Sequence, residues 1–407
     1  MRQFYERPAP EDVLGVPSEY LYGSALSLYK FSAVRAPGEA KLRVFTPDLE
    51  EHGWKTTHSV IEIVNDDMPF LVDSVTAALN RRGLTVHQVI HPVVYVERDD
   101  KGSRIRTCDA ELSGKQKCVR ESVMHFEIDE QSDAAVLLEI EKNLTAVLND
   151  VRVSVADWKS ILAHVGAIST NLKKNPPPLD KDEIDEALAL LQWMSDNHFT
   201  FLGYREFEFG ADSKGKSDRW ELVEGSGLGI LRDPERRIMS GNQEMSPEVK
   251  DFLRRRELII VTKANVRSTV HRAVHLDYVG VKKFNEKGEV IGEYRFTGLF
   301  TSAAYNRIPR DIPYLRRKVS QTLELSGFPK NSHDEKAFTH ILESYPRDEL
   351  FQISVEDLYE NATKILSLQE RPRIGVLLRR DRFERFVSAI VYTPREKFNT
   401  DMRRKFG

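Results

Sequence analysis

The stretch from residue 59 to residue 155 constrains the fold of this chain most, because its apolar residues switch repeatedly between two periods. Ser59-Val60-Ile61-Glu62-Ile63-Val64 alternates, which predicts a strand. A helix follows, with apolar residues at helical spacing and a glycine at its C-terminal end: Phe70, Leu71, Val75, Ala78, Leu79 and Gly83. The pattern then predicts an extended run at residues 84–95 and a strand at residues 122–128. An amphipathic helix at residues 134–148 and a last strand at residues 151–155 follow. The order β-α-β-β-α-β predicts a ferredoxin-like split βαβ unit and an α+β fold class.

The loop between the first strand and the first helix is the candidate site. It reads Asn65-Asp66-Asp67-Met68-Pro69-Phe70. Backbone N–H groups at a helix N-terminus can receive an anion, such as the carboxylate of a small amino acid. The alternative is a plain helix cap, in which Asp66 or Asp67 fills the N-cap, Pro69 lies in the first turn, and the acids repel a carboxylate. An effector or interface site and a plain cap both remain open at this point.

The remaining regions predict a multidomain chain. A helix is expected over residues 20–31, and Pro176-Pro177-Pro178 excludes helix and sheet interior, so a stiff linker separates two domains there. After a helix that ends near Met194, residues 199–305 are strand-rich, with a hairpin from His275 to Thr301. Helices are predicted for residues 311–369. A final hairpin at residues 373–392 precedes a helix start at Asn399 or Thr400; two strands cannot bury an apolar face alone, so this tail is expected to open a longer domain.

Composition excludes several classes of function. The chain has 407 residues, is 40% hydrophobic and 30% charged, and carries 60 Lys and Arg against 63 Asp and Glu, a net charge of −3. No overall field therefore favours nucleic acid, and no apolar run is long enough to span a membrane. Without an export signal the chain is expected in the cytoplasm, with Cys108 and Cys118 as free thiols.

The motifs that most often carry chemistry are missing or fail on spacing. Gly225-Ser226-Gly227-Leu228-Gly229 lacks the third glycine of a dinucleotide fingerprint and is predicted to be a structural turn. His87 and His91 lie on a predicted strand, about 13 Å apart, so they are expected to be half-buried structural residues rather than a metal pair. The basic clusters at Arg254–Arg256 and Arg379–Arg385 are accompanied by the acids Glu257, Asp381 and Glu384, which favours a solvated surface or an inter-subunit salt bridge over nucleic acid. We therefore predict no catalytic, cofactor-binding or metal-binding residue in this sequence.

The first unit resembles ACT domains, which are small regulatory modules of amino-acid metabolism. The resemblance lies in Asp67-Met68-Pro69-Phe70-Leu71-Val72-Asp73 and in Gly83-Leu84-Thr85-Val86. Phe70 stands where the ACT signature has a glycine that lets a ligand approach the backbone. This departure argues against amino-acid binding while it leaves the fold and its pairing intact.

Longer motifs across the chain resemble the large bacterial NAD-specific glutamate dehydrogenases. They begin at Met68, Phe199, Gly298, Tyr345 and Arg385, and include Phe199-Thr200-Phe201-Leu202-Gly203-Tyr204-Arg205 and Tyr345-Pro346-Arg347-Asp348-Glu349-Leu350-Phe351. The resemblance implies that the catalytic Lys and Asp and the NAD-binding fold lie downstream, outside these residues. It implies the following order: 1–50 N-terminal helical lead-in, 51–158 ACT-like domain, 159–198 linker and helix, 199–305 strand-rich, sensor-like mixed domain, 306–370 helical connector and 371–407 start of a truncated second ACT-like domain.

The function implied is that of a non-catalytic regulatory or oligomerisation segment of an enzyme that converts L-glutamate to 2-oxoglutarate and ammonia. Its expected partners are the downstream catalytic domain of the same chain and further copies in a homo-oligomer. An amino-acid effector belongs to one hypothesis, and a pure assembly scaffold is the other. A stand-alone ACT-type amino-acid-sensing regulator is the third alternative.

Overall fold

The fold is described from a computed structural model, for residues 4–5, 13–108, 117–209, 220–236, 247–368 and 373–406. The chain divides into two compact units. Unit 1 comprises Met1–Ala156 together with the short segment Ser268–Val274, and unit 2 comprises Asp157–Arg267 and His275–Gly407. None of the described helices combines the length and the apolar character needed to cross a membrane.

Unit 1 is a six-stranded antiparallel sheet with helices. Its sheet order is β1-β2-β6-β4-β5, and β3 also pairs with β6. Helix α1 packs on one face, where Leu28 joins a core cluster with Val64 and Val123. The elements are α1 (Ser18–Phe31), β1 (Lys41–Phe45), α2 (Leu49–His52), β2 (Ser59–Asp66), α3 (Leu71–Arg81), β3 (Val86–Ile90), β4 (Val93–Arg98), β5 (Arg104–Cys108), β6 (Val119–Ile128) and α4 (Ala134–Lys174).

The strand beside β2 is the main departure from the predicted β-α-β-β-α-β order. In a ferredoxin-like split the closing strand pairs with the first strand. Here β1, which precedes the rest of the unit, takes that place: Ile61 of β2 lies opposite Val44 on one side and opposite Phe126 of β6 on the other. The mixed α+β class is confirmed, but the edge strand comes from the region predicted as a helical lead-in.

The predicted closing strand at residues 151–155 is wrong, because these residues belong to the 41-residue helix α4. The buried positions Leu144, Val147, Leu148 and Val151 recur three and four residues apart, and Ser154 is also buried. Val-Arg-Val-Ser-Val alternates over five residues only, and so short a run fits either period. The longer helical series decides the structure.

The two cysteines form a disulfide, so the prediction of free thiols is wrong. Cys108 ends β5 and Cys118 immediately precedes β6, and their Cα atoms lie 6.5 Å apart, within the range that a disulfide spans. The sequence argument rested on the expected compartment. The two cysteines lie close together because β5 and β6 belong to the same sheet.

Unit 2 is built on a second antiparallel sheet, ordered β10-β11-β12-β7-β8, with β9 paired to β7. The predicted hairpin is confirmed as β11 and β12. Gly225 lies in a turn, as predicted, and Gly229 of the short strand β9 pairs with Gly203, so the glycine-rich run is a turn followed by a strand. The elements are α5 (Lys181–Trp193), β7 (Phe199–Phe209), β8 (Trp220–Leu222), β9 (Leu228–Gly229), α6 (Pro247–Arg254), β10 (Ile259–Arg267), β11 (His275–Phe284), β12 (Val290–Phe300), α7 (Ser302–Asn306), α8 (Leu315–Ser326), α9 (His333–Ser344), α10 (Arg347–Gln352), α11 (Val355–Leu368), β13 (Gly375–Arg380), β14 (Val387–Tyr392) and α12 (Thr400–Phe406).

The last three elements confirm the predicted hairpin and helix start. The Asn399 side chain accepts a hydrogen bond from the Met402 N–H at 2.8 Å, which is the predicted N-cap. Strands β13 and β14 pair only with each other among the described residues. Val376, Leu378 and Val387 are more than half exposed on this ribbon.

Candidate functional site

The candidate loop lies between β2, which ends at Asp66, and α3, which begins at Leu71. Helix α3 is anchored by an apolar face that includes Leu71, Val75 and Leu79, each at most 2% exposed. Met68 is half-buried and Pro69 is exposed. The loop is therefore held at both ends by buried elements, while its centre reaches the surface.

Asn65 is fully buried at the start of the loop. Its Oδ1 accepts a hydrogen bond from Arg152 Nη2 of helix α4 at 2.8 Å. Its Nδ2 has no hydrogen-bond partner among the described residues. Asn65 therefore ties the end of β2 to α4, and its side chain is not directed at a ligand from the surface.

Asp66 belongs to a buried charge cluster, and we use that name for Arg35, Asp66, Arg98 and Glu121. Arg35 Nη2 lies 2.6 Å from Asp66 Oδ1 and 2.7 Å from Glu121 Oε1. Arg98 Nε lies 2.7 Å from the same Glu121 oxygen. Burial favours the neutral form of Glu121, but hydrogen bonds from Arg98 and Arg35 outweigh it and hold the pKa of this carboxyl below its usual value.

Asp67 is also neutralised, by Arg120 Nη2 at 2.6 Å from its Oδ2. Neither aspartate caps α3, so the plain-cap interpretation is wrong in its detail. The N-cap position belongs to Phe70, whose side chain makes no capping bond, and Pro69 precedes the helix instead of lying in its first turn. Both aspartates form ion pairs with arginines that lie elsewhere in the chain, so the local sequence could not show these partners.

Phe70 adopts a left-handed backbone conformation, with φ 73° and ψ 0°. This region favours glycine, the residue that the ACT signature has here. Phe70 therefore keeps the backbone path of the signature, while its ring fills the space that a glycine leaves open. Its carbonyl accepts the Ser74 N–H at 3.0 Å and begins the helix.

The segment Ser268–Val274 covers the first turn of α3. The backbone N–H of His271 donates to Ser74 Oγ at 2.9 Å, and His271 Nδ1 lies 3.0 Å from Asp73 Oδ2. The rings of His271 and Phe70 lie 5.0 Å apart. Sequence reasoning missed this contact because His271 and Ser74 are 197 residues apart and no local pattern links them.

The two other histidines that were singled out do not join the site. His87 Nε2 lies 2.8 Å from Asp129 Oδ1, and His91 Nε2 lies 2.6 Å from Ser122 Oγ. His91 is half-buried as predicted, whereas His87 is exposed. Each has a hydrogen-bonding partner of its own.

Comparison with known proteins shows which family the modules of the chain resemble. Three family models of glutamate dehydrogenase match, namely the ACT1 domain at residues 1–144, helical motif 1 at residues 312–371 and the ACT2 domain at residues 375–407. The chain therefore carries modules of the glutamate dehydrogenase type. The resemblance of the sequence motifs is thereby confirmed.

Three NAD-specific glutamate dehydrogenases illustrate the relationship. That of Halomonas elongata is 38% identical over 402 residues, 98% of this chain and 25% of the relative. That of Pseudomonas aeruginosa is 38% identical over 385 residues, 95% of this chain and 24% of the relative. That of Mycobacterium tuberculosis is 28% identical over 383 residues, 93% of this chain and 22% of the relative. The chain spans about a quarter of the length of these relatives.

The left-handed conformation of Phe70 in the ACT1 domain makes a prediction. We expect Phe70→Val to lower the free energy of unfolding by about 1–2 kcal/mol more than Phe70→Asn, because asparagine tolerates this conformation and a β-branched residue does not. Both variants lose the ring contact with His271, so their difference isolates the backbone. Hydrogen exchange of the α3 amides measures it. Equal losses in the two variants would show that the ring contact, and not the backbone, governs this position.

Proposed function

We propose that the chain is a non-catalytic regulatory and oligomerisation segment of an NAD-dependent glutamate dehydrogenase. The parent enzyme would convert L-glutamate to 2-oxoglutarate and ammonia and reduce NAD, which would bind a downstream domain of the same chain. The observation that carries the proposal is that all three matched models are ACT or helical modules of that family. We place the enzyme in the cytoplasm as a homo-oligomer.

Within this proposal, we favour assembly over amino-acid sensing at the loop Asn65–Phe70. Two features support this choice. Asp66 and Asp67 are held by Arg35 and Arg120, and His271 donates to Ser74 in the first turn of α3, where an effector carboxylate would be received. The loop would then serve as a rigid part of an interface. A stand-alone amino-acid-sensing regulator is the alternative.

Two measurements on the purified chain test the proposal. With L-glutamate and NAD, NADH absorbance should not rise above that of the protein-free reaction. Sedimentation velocity over a range of concentrations should show reversible association. NADH formation by the chain would refute the non-catalytic role, and a monomer at every concentration would refute the assembly role.

A thermal-shift screen separates assembly from sensing. We expect the common amino acids to leave the melting temperature of unit 1 unchanged. Stabilisation by one amino acid that is lost in both Asp66→Ala and Asp67→Ala, but kept in Arg106→Ala, would instead support the sensor. Arg106 is exposed and pairs with Glu97, not with a residue of the loop, so it controls for loss of a surface charge.

A further inference from the structure

Unit 2 contains a cavity of about 320 Å³, large enough for a small metabolite. Its walls come from helices α5, α8 and α11 and from the segment that joins α6 to β10. Four basic and four acidic residues line it: Arg255, Arg317, Lys318, Arg382, Glu183, Glu186, Glu257 and Glu356. The balance of charge therefore depends on which of them are already paired.

Three of the four acids are engaged by the protein itself. Glu183 accepts the Leu258 N–H at 2.8 Å, and Glu186 accepts the Tyr314 N–H at 2.7 Å. Glu257 lies 3.0 Å from Arg382 and neutralises it. Glu356 is exposed at the start of α11. Glu186 is also paired with Arg316 at 2.7 Å, so the charges of Glu186 and Glu257 are balanced, whereas Glu183 and Glu356 keep theirs.

The other three cations at the cavity, Arg255, Arg317 and Lys318, are not paired with any acid that the structure describes. The guanidinium groups of Arg255 and Arg317 have no hydrogen bond or ion pair within the part of the chain that the structure describes. Lys318 is 92% buried and donates to the carbonyl oxygens of Leu350 and Phe351 at 2.8 and 3.0 Å, which leaves the third donor of its ammonium group. Arg255 and Arg317 therefore retain hydrogen-bond donors at one cavity, and Lys318 retains one in its charged form.

One backbone feature at the cavity fits an anion, and a second is strained. The first N–H groups of α11, at Val355 and Glu356, have no acceptor within their own helix, and the helix dipole makes that end positive. Tyr314 is held at φ 71° and ψ −45° at the start of α8, a conformation that costs energy and is most common at functional sites.

We propose that this cavity binds a small anion with carboxylate or phosphate oxygens, held by Arg317, Arg255 and Lys318. The site lies in unit 2, and the proposal goes beyond the regulatory role because anion binding there does not depend on that role. Arg317 is half-buried on the wall of the cavity and would make the main contact.

Isothermal titration calorimetry of the full 407-residue chain tests the site. The probes are succinate for a carboxylate and inorganic phosphate for a phosphate. Sodium chloride at matched ionic strength controls for non-specific binding of anions. We expect saturable binding of at least one probe and none of chloride. In Arg317→Gln the affinity should fall by about tenfold or more, since a charge-assisted hydrogen bond is lost.

A matched pair of variants controls for general loss of charge. Arg255 lines the cavity and its neighbour Arg254 does not. Arg255→Gln should weaken binding and Arg254→Gln should not, while circular dichroism confirms that each variant is folded. Equal affinity in wild type, Arg317→Gln and Arg255→Gln would overturn the proposal, and so would the lack of saturable binding by either probe.

Lys318 gives the site a second signature. Burial first, and then the charges of Arg382 and Arg379, lower the pKa of Lys318 to about 7, although Glu257 and Glu349 oppose this. A bound anion favours the charged ammonium, so binding near pH 7 should take up part of a proton. Titrations in two buffers of different ionisation enthalpy measure this uptake. Binding without proton uptake would remove Lys318 from the site.

Discussion

Replacing Glu121 by alanine is expected to lower the free energy of unfolding of unit 1 by about 3–5 kcal/mol, the usual cost of removing one partner from a buried ion pair. The Glu121 side chain is 1% exposed, and those of Arg35 and Arg98 are 2% and 5% exposed. Both guanidinium groups donate to the Glu121 carboxylate, so its loss leaves two buried cations with one remaining acid, Asp66. Native-state hydrogen exchange of the β2 and β6 amides measures the change.

The control is an ion pair in the same unit that remains in water. Arg106 and Glu97 lie 2.7 Å apart, but Arg106 is half exposed, so Arg106→Ala should cost less than about 1 kcal/mol. A similar cost for Glu121→Ala would mean that the buried charge cluster contributes no more than a surface pair.

The same carboxylate makes the stability of unit 1 depend on pH. Burial raises the pKa of Glu121, but hydrogen bonds from Arg98 and Arg35 outweigh it and lower the pKa in the folded state. The stabilisation is then complete above the pKa of the unfolded chain and is lost as the pH falls through the folded pKa. Wild type should lose stability in this acid range, and Glu121→Gln should lose less of it. Parallel pH curves for the two proteins would contradict this assignment.

Local periodicity predicted the elements of unit 1 better than their arrangement. The alternation of residues 59–64 and the helical spacing from Leu71 to Leu79 are properties of neighbouring residues, and β2 and α3 follow from them. Strand β1 has five residues, of which only Val44 is buried, so it leaves a weak signal. Its place beside β2 depends on pairing across the sheet, which a single sequence does not record. The same limit applies to the disulfide between Cys108 and Cys118.

The candidate loop shows the same division between local and long-range information. Its position between a strand and a helix was predictable from the sequence. The comparison with the ACT signature also showed that Phe70 replaces a glycine. Its electrostatics were not, because Arg35, Arg120 and His271 come from distant parts of the chain. Two aspartates that look like cap residues in the sequence are ion-paired in the fold.

Unit 2 offers the second large effect, at Phe300. Its ring is 1% exposed, stacks on Phe351 with ring centroids 4.6 Å apart, and meets the edge of Phe199 at 5.0 Å. Phe300→Ala removes these contacts and leaves a cavity, so we expect the free energy of unfolding of unit 2 to fall by about 3–5 kcal/mol. Hydrogen exchange of the β7 and β12 amides measures this.

The backbone of Phe300 allows the side-chain effect to be separated from the loss of a hydrogen bond. Its N–H donates to the buried Asp277 Oδ2 at 2.9 Å, and this bond is available to any residue except proline. The matched control is Phe398→Ala, since Phe398 is 59% exposed and should change stability by no more than about 0.5 kcal/mol. Phe300→Leu should fall between the two, because it restores part of the buried volume. A Phe300→Ala variant as stable as Phe398→Ala would show that the aromatic cluster around β12 does not hold unit 2 together, and that its stability lies instead in the sheet hydrogen bonds.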